Sequence, residues 1–482
     1  MDRIQRQTDN QPESEIRWWQ PVVFAALAGG MGWGIRGQYG HETGAMVPGL
    51  LVSLTLVFFM YPRASVINTA RIVAWGAVAM GFGGSMTYGQ TIGLTQNTSM
   101  IGNWAALGWG MLGLSIKGAL WIGFAGAFLG MGFSGIRYRS RELLLLMIAL
   151  VAAYFLGVFL LNSPFDPANQ SLPAIYFSAD WYWEPDAVNL QPRPECWGGL
   201  LFALIVLIVY TARGRKDSLA PRLASWGILG GVVGFPLGQC LQANHAWNLA
   251  YFKEGWWSQL DPFMNWWNMM ETTFGAVMGG MLGLGLWLNR KRIRTMNEAD
   301  GEFSPPMEWI LLAVHLALLV AVEFMSVRAV DMIYDIGLVM GIIPIVAIAG
   351  GRWWPYLIVY PITLLPIAGK TVDQLVYQET AIAPLTGWFA YLIAPLLIAT
   401  TAAIWIGRHA ATFKSGLDFT RFSFLFCTWT YFLINFAFFR FPWPWADWTQ
   451  RTPNGIIFLV CAIGLTTAAL FYRRRETNSL AV

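Results

Sequence analysis

Apolar runs of about twenty residues recur along the whole chain, and nothing constrains its fold more. A helix that crosses a bilayer needs roughly 20 mostly apolar residues. Such runs centre on 18–37, 43–61, 72–93, 109–133, 143–161, 196–212, 222–240, 266–289, 307–326, 330–349, 353–369, 387–407, 421–439 and 454–472. The fold class expected is therefore all-α, a polytopic transmembrane helix bundle of about 14 spans. Composition agrees: 56% of the 482 residues are apolar and 12% charged, against about 25% charged in soluble domains. A water-soluble fold could not hide that much apolar surface.

Loop charge gives the orientation. Cytoplasmic connections of membrane proteins collect Lys and Arg. With the N-terminus inside, 23 of the 31 basic residues fall on inside segments, 7 on outside segments, and Lys117 within a span. A wrong span count would scramble this alternation, so both termini are expected in the cytoplasm. The polar start, 1–17, lacks the basic and apolar parts of a signal peptide, and the first apolar run is read as a retained helix. The organisation expected is a cytoplasmic segment 1–17, a Gly-rich transmembrane half 18–289, a cytoplasmic linker 290–306, a second transmembrane half 307–472 and a cytoplasmic tail 473–482. A bacterial inner (plasma) membrane suits the short loops.

The first half carries an internal repeat. GGMGWGIRGQ (29–38), GFGGSMTYGQ (81–90) and GGVVGFPLGQ (230–239) align without gaps and end on Gln38, Gln90 and Gln239. Each is followed, on the returning helix, by a second motif: GAMVPG (44–49), GALWIG (118–123) or GAVMGG (275–280). The repeat units are thus 29–49, 81–123 and 230–280. Ala45/Gly49, Ala119/Gly123 and Ala276/Gly280 are each four apart. They predict small-residue faces, which let membrane helices approach closely. Parallel repeats of this kind place sites at their interfaces in transporters.

Polar groups inside a bilayer are costly and mark candidate sites. Around the outer ends of the repeats stand Arg36, Gln38, His41, Glu42, Gln90, Asn97, Gln239, Asn244 and His245. Amide side chains both donate and accept, which suits a hydroxyl-rich solute such as a sugar. Nearby Trp104, Trp181, Trp183, Trp247, Trp256, Trp257, Trp266 and Trp267 either stack on such a ring or form an interfacial aromatic belt. Lys117 and Glu271 lie at similar depth in the repeat alignment, and an ion pair between them is expected, either static or gating. Asp331 and Asp335 share a helical face and suit a coupling cation or proton, or a salt-bridged helix end. The mid-span His315 reads as structural.

Other chemistries fail on spacing. Cys196, Cys240, Cys427 and Cys461 form no C-x-x-C pair, so neither a metal nor a redox cofactor is indicated. Cys196 and Cys240 fall near one face, as two thiols or as a disulfide. Gly369-Lys370-Thr371 lacks the earlier Gly of a phosphate loop, Leu364 standing in its place, and there is no G-x-S-x-G elbow. No basic run or motif points to nucleic acid. Asn97-Thr98-Ser99 and Asn169-Gln170-Ser171 fit glycosylation acceptors only in a eukaryotic host.

Three functions remain. The first is a transporter or channel for a small polar solute, with the bilayer as the chain's surroundings and no cofactor. The second is a membrane-embedded transferase acting on a lipid-linked or periplasmic-side glycan or acyl substrate, with His41, Glu42, His245 and Asp261 as acid and base. The third is a structural subunit of a membrane complex.

Overall fold

The structure, a computed structural model, describes residues 16–36, 42–62, 64–86, 88–294, 296, 301–325, 327–351, 365–409, 413, 416–439 and 447–472. Among these, no strand forms beyond one isolated bridge between Asp166 and Ser171. Helices lie on the expected apolar runs, apart from 352–364, which fall outside the described residues. Among the described residues, seven helices are long and apolar enough to cross a membrane, or eight if one bent pair is a single span. That is fewer than the fourteen expected: the helices over 18–37, 43–61, 72–93, 266–289 and 421–439 do not qualify on length and apolarity, 330–349 is part of the bent pair, and most of 353–369 lies outside the described residues.

Six helices form a closed ring. In chain order they are α1 (Trp19–Arg36), α2 (Glu42–Met60), α3 (Val66–Gly81), α5 (Trp104–Phe133), α8 (Ala220–Trp247) and α11 (Trp266–Leu288). Each packs on the next, and α11 closes back on α1. The short α4 (Gly89–Gln96) continues α3 after a break. Outside the ring, α6 (Ser140–Leu161) pairs with α7 (Trp197–Val209). The turns α9 (Leu249–Phe252) and α10 (Trp257–Leu260) join α8 to α11. The second half supplies α12 (Pro305–Phe324), α13 (Arg328–Asp335), α14 (Gly337–Gly350), α15 (Leu365–Val372), α16 (Pro384–Trp388), α17 (Ala394–His409), α18 (Gly416–Ile434) and α19 (Thr452–Phe471). Of these, α18 leans on α2, and α19 on α1.

Glycine explains why the ring closes tightly. A Cβ on Gly29 would sit 2.1 Å from the Gly275 carbonyl oxygen, and one on Gly275 2.2 Å from that of Gly29. Farther along the same seam, Gly279 and Gly283 meet the carbonyls of Ala25 and Pro21. The α5–α8 seam is built alike, with Gly118 against Gly231 and Gly227 against Ile122. Gly49 lies on Ala77 and Gly76 of α3. Without a hydrophobic effect between helices in lipid, such backbone approach is what holds them. The contact face differs from the expected one in two of the three motifs. In α11 the Gly275, Gly279, Gly283 row carries the contact, and Gly280 meets nothing nearer than 3.7 Å. In α5 the row starts at Gly118, while Gly123 faces the Leu204 side chain. In these two motifs the first Gly, Gly118 or Gly275, one residue ahead of the Ala, aims at the partner backbone.

Burial separates inner from outer helices. The apolar window of α5 is 78% buried, that of α12 only 22%. Exposed Leu145, Phe159, Leu397 and Ile398 on α6 and α17 give the outer surface the apolar belt a lipid-facing layer needs.

Two of the expected spans are broken. The third stops at Gly81, passes through a 3₁₀ turn at Phe82–Ser85 and resumes at Gly89. Gly81, Gly83 and Gly84 weaken the helix there, and Gly83 lies against the Trp121 ring, its would-be Cβ 2.1 Å from ring carbons. The tenth bends by 84° between α13 and α14, at Ile336, whose backbone is not helical.

The connections sort onto two ends. At one, Arg294 N–H donates to the Phe133 carbonyl, Tyr61 Oη to that of Arg294, and Arg71 to that of Gly351, while Arg137 pairs with Glu302 at 3.4 Å. At the other, segment 163–195 meets the α4–α5 connection through Ser99 and Glu184.

Candidate functional site

Arg36, Tyr88 and Glu271 meet inside the ring. Arg36 is the last residue of α1, Tyr88 stands at the break before α4, and Glu271 lies in the second turn of α11. All three are at most 4% exposed. Arg36 Nη1 donates to Glu271 Oε1 at 2.9 Å and to Tyr88 Oη at 2.5 Å. Tyr88 Oη donates to the same Oε1 at 3.1 Å, as does Trp267 Nε1 at 3.1 Å. Glu271 Oε2 has no hydrogen-bond partner among the described residues.

Aromatic rings enclose the charge. The guanidinium carbon lies 5.0 Å from the Trp33 ring centroid, 5.3 Å from that of Trp121 and 5.6 Å from that of Tyr88. These are cation–π distances, and desolvation strengthens the attraction. Phe274 packs on Trp33, and Phe235 joins Tyr88 to Phe274. The cluster draws side chains from α1, α5, α8, α11 and the α3–α4 break.

The pairing expected between Lys117 and Glu271 is corrected here. Lys117 Nζ donates to Glu195 Oε1 at 2.6 Å and to Thr91 Oγ1 at 2.7 Å, while Glu271 takes Arg36. Lys117 stands on α5 and Glu271 on α11, and it is α11 that packs on α1 and so meets Arg36. Glu195 comes from the end of the long 162–195 connection and is buried, together with Phe177 and Ser178 of the same connection. Its carboxylate also accepts from Ser178 Oγ at 2.8 Å and from the Phe177 N–H at 3.0 Å. A buried cation needs a buried anion, and Lys117 signalled that one was required. Sequence spacing did not show that it would come from a loop.

The glutamines hold structure together. Gln90 Nε2 donates to the Gln191 carbonyl at 2.8 Å, and its Oε1 accepts from the Arg193 N–H at 3.0 Å, so it clamps the same connection. Gln239 is fully buried and donates to Thr95 Oγ1 at 2.7 Å; its Oε1 has no partner among the described residues. Gln38 and His41 lie outside the described residues, and Glu42 is placed only as the start of α2.

The remaining candidates are dispersed. Asn97 ends α4 and is exposed, and exposed Asn244 accepts from Asn248 Nδ2 at 3.0 Å. His245 Nε2 lies 2.8 Å from Asp261 Oδ1, and its ring stacks on Trp266 at 4.6 Å. Trp266 Nε1 donates to the same carboxylate oxygen at 2.8 Å. Asp331 and Asp335 stand one turn apart on α13 and make no ion pair among the described residues. Cys196 is buried and Cys240 exposed, both as thiols. No group of three or more His, Cys, Asp or Glu side chains suited to a metal occurs among the described residues. Comparison with known proteins returns no match to a family model, a curated protein or a solved structure.

Proposed function

We propose that this chain is a membrane transporter or channel for a small polar, hydroxyl-rich solute, with fourteen spans and both termini cytoplasmic in a bacterial inner membrane. Its working centre is the Arg36–Tyr88–Glu271 cluster. One observation carries the reading: a fully buried, aromatic-caged ion pair where the ring helices converge, beside an interrupted helix. Ionisable groups at membrane depth are expensive and are retained where they act. Interrupted helices at repeat interfaces are where secondary transporters build their binding sites. The unsatisfied Glu271 Oε2 is an acceptor for a solute hydroxyl or a proton.

The repeat is supported by how the ring closes. The Gly-Gln helix of the first unit packs on the Gly-Ala helix of the third, that of the third on the second, and that of the second on the first, through α1–α11, α8–α5 and α3–α2. Three units so interlocked form a cyclic arrangement around one centre. In this reading Lys117 and Glu195 latch the outer connection, and Asp331 and Asp335 take a coupling cation or proton.

The His245–Asp261 contact favours a second reading, a membrane-embedded transferase using that pair as base and orienter. One experiment separates the readings. Proteoliposomes holding the purified protein are incubated with polar metabolites and sugars, and both compartments are read by mass spectrometry. A compound accumulating unchanged supports transport. A new mass, lost on His245→Ala, supports the transferase. Neither, from a folded sample, leaves a structural subunit.

A further inference from the structure

Away from the ring, a cleft of about 550 Å³ opens between the first turns of α5 and segment 173–183 of the long connection. Trp104, Trp109, Tyr176, Tyr182 and Trp183 supply its rings, and Asp180 is the only Asp, Glu, Lys or Arg in its lining. The walls are fixed before any ligand arrives. Asn103 caps α5 by accepting from the Ala106 N–H at 3.0 Å, which sets Trp104 at the helix start. Trp109 Nε1 donates to the Tyr176 carbonyl at 2.8 Å, and Tyr176 Oη to that of Arg193 at 2.9 Å. The N–H groups of Tyr182 and Trp183 donate to Asp180 Oδ1 at 2.9 and 3.3 Å. Asp180 Oδ2 has no partner among the described residues. Partial burial lifts this carboxyl above its usual range, against the lowering effect of those two donors. Gly108 leaves the floor open: a Cβ there would meet nothing within 4 Å.

We propose that this cleft binds a neutral saccharide. The rings form an open platform, Trp104 being 73% and Tyr182 81% exposed. A cation gains little from exposed rings, since cation–π attraction grows with desolvation. A pyranose fits a platform: its apolar C–H face lies on a ring whose π face is negative, and its hydroxyl edge reaches Asp180 Oδ2 and the Tyr182 hydroxyl. With no Lys or Arg in the lining and one carboxylate present, acidic sugars are repelled. A few placed polar groups among aromatic walls is the usual make-up of a small-molecule site, and the volume falls in the usual range. The assignment does not rest on transport through the ring.

The test is equilibrium binding to the purified full chain in detergent, by calorimetry and saturation-transfer NMR. The probes are maltose, cellobiose and lactose, with glucuronate and tetramethylammonium as controls. At least one disaccharide is expected to bind at millimolar concentration, and neither control. Trp104→Ala weakens binding by roughly three- to tenfold, the value of one stacked ring. Gly108→Leu starts into open space, since a Cβ there meets nothing within 4 Å, and is expected to weaken binding at least about tenfold, with its folding verified by melting temperature. No disaccharide binding, tetramethylammonium binding in their place, or disaccharide binding unchanged in a folded Gly108→Leu protein overturns the proposal.

Discussion

Gly231→Ala tests the ring at its tightest seam. The new methyl would stand 1.9 Å from the Gly118 carbonyl oxygen and 2.2 Å from its carbon. Both are backbone atoms of α5, so no side chain can swing aside. Bringing that contact to 3.0 Å requires α8 and α5 to part by at least about 1 Å. The same movement loosens Gly227 on Ile122 and Gly126 on Leu223, whose approaches are nearly as close, at 2.2 and 2.3 Å. Overpacking of this kind costs about 1–3 kcal/mol. Replacing Gly by Ala within a helix returns roughly 0.5–1 kcal/mol, and less here, because helices persist in the unfolded state of a membrane protein. The net loss expected is about 1–2 kcal/mol. Gly280→Ala is the control from the same repeat: its methyl meets nothing nearer than 3.7 Å, so it should be neutral or slightly stabilising. Reversible unfolding in mixed detergent and SDS micelles, followed by circular dichroism, reads both. Equal stability of the two variants would refute the assignment of the contact row.

Two other predictions concern the buried charges. Removing either Arg36 or Glu271 alone leaves its partner buried and unpaired, at a cost of about 3–5 kcal/mol; the double variant Arg36→Gln/Glu271→Gln should recover much of that loss. Simple additivity in this stability cycle would reject the pairing. Glu195→Ala removes the acceptor of Lys117, Ser178 and the Phe177 N–H. Hydrogen exchange at residues 176–183 should then quicken at least tenfold, while the amides of α5 stay protected; unchanged exchange would mean that the connection is held elsewhere.

The positions of the helices were legible because an apolar run of bilayer length has few other uses. So was the importance of the small residues, although which row of glycines meets the partner depends on helix rotation, and motif spacing does not fix rotation. Lys117 and Glu271 announced themselves as charges inside apolar runs, whereas Arg36 counts among the polar groups at the outer ends of the repeats. Their pairing was not legible, because it depends on which helices become neighbours in the ring. Arg36 and Glu271 are far apart in sequence and meet only when α11 closes on α1. Glu195 carried no signal of burial, as it ends a polar connection with several exposed acids. The break at Gly81–Tyr88 was hidden within an apolar run, though its glycines hinted at it. Gln90 and Gln239 stood out through the repeat, yet their amides hold backbone and Thr95.

The central claim is that the Arg36–Glu271 cluster does work beyond holding helices together. Uptake into proteoliposomes by the native chain and by Arg36→Gln/Glu271→Gln, with the variant's folding verified by its melting temperature, tests it most directly. The account predicts a folded double variant whose uptake falls at least about tenfold, because a neutral pair keeps the packing but loses the charge a polar solute or proton engages. A double variant that is folded and takes up solute at the native rate would contradict it, and would leave the buried pair as a packing element alone.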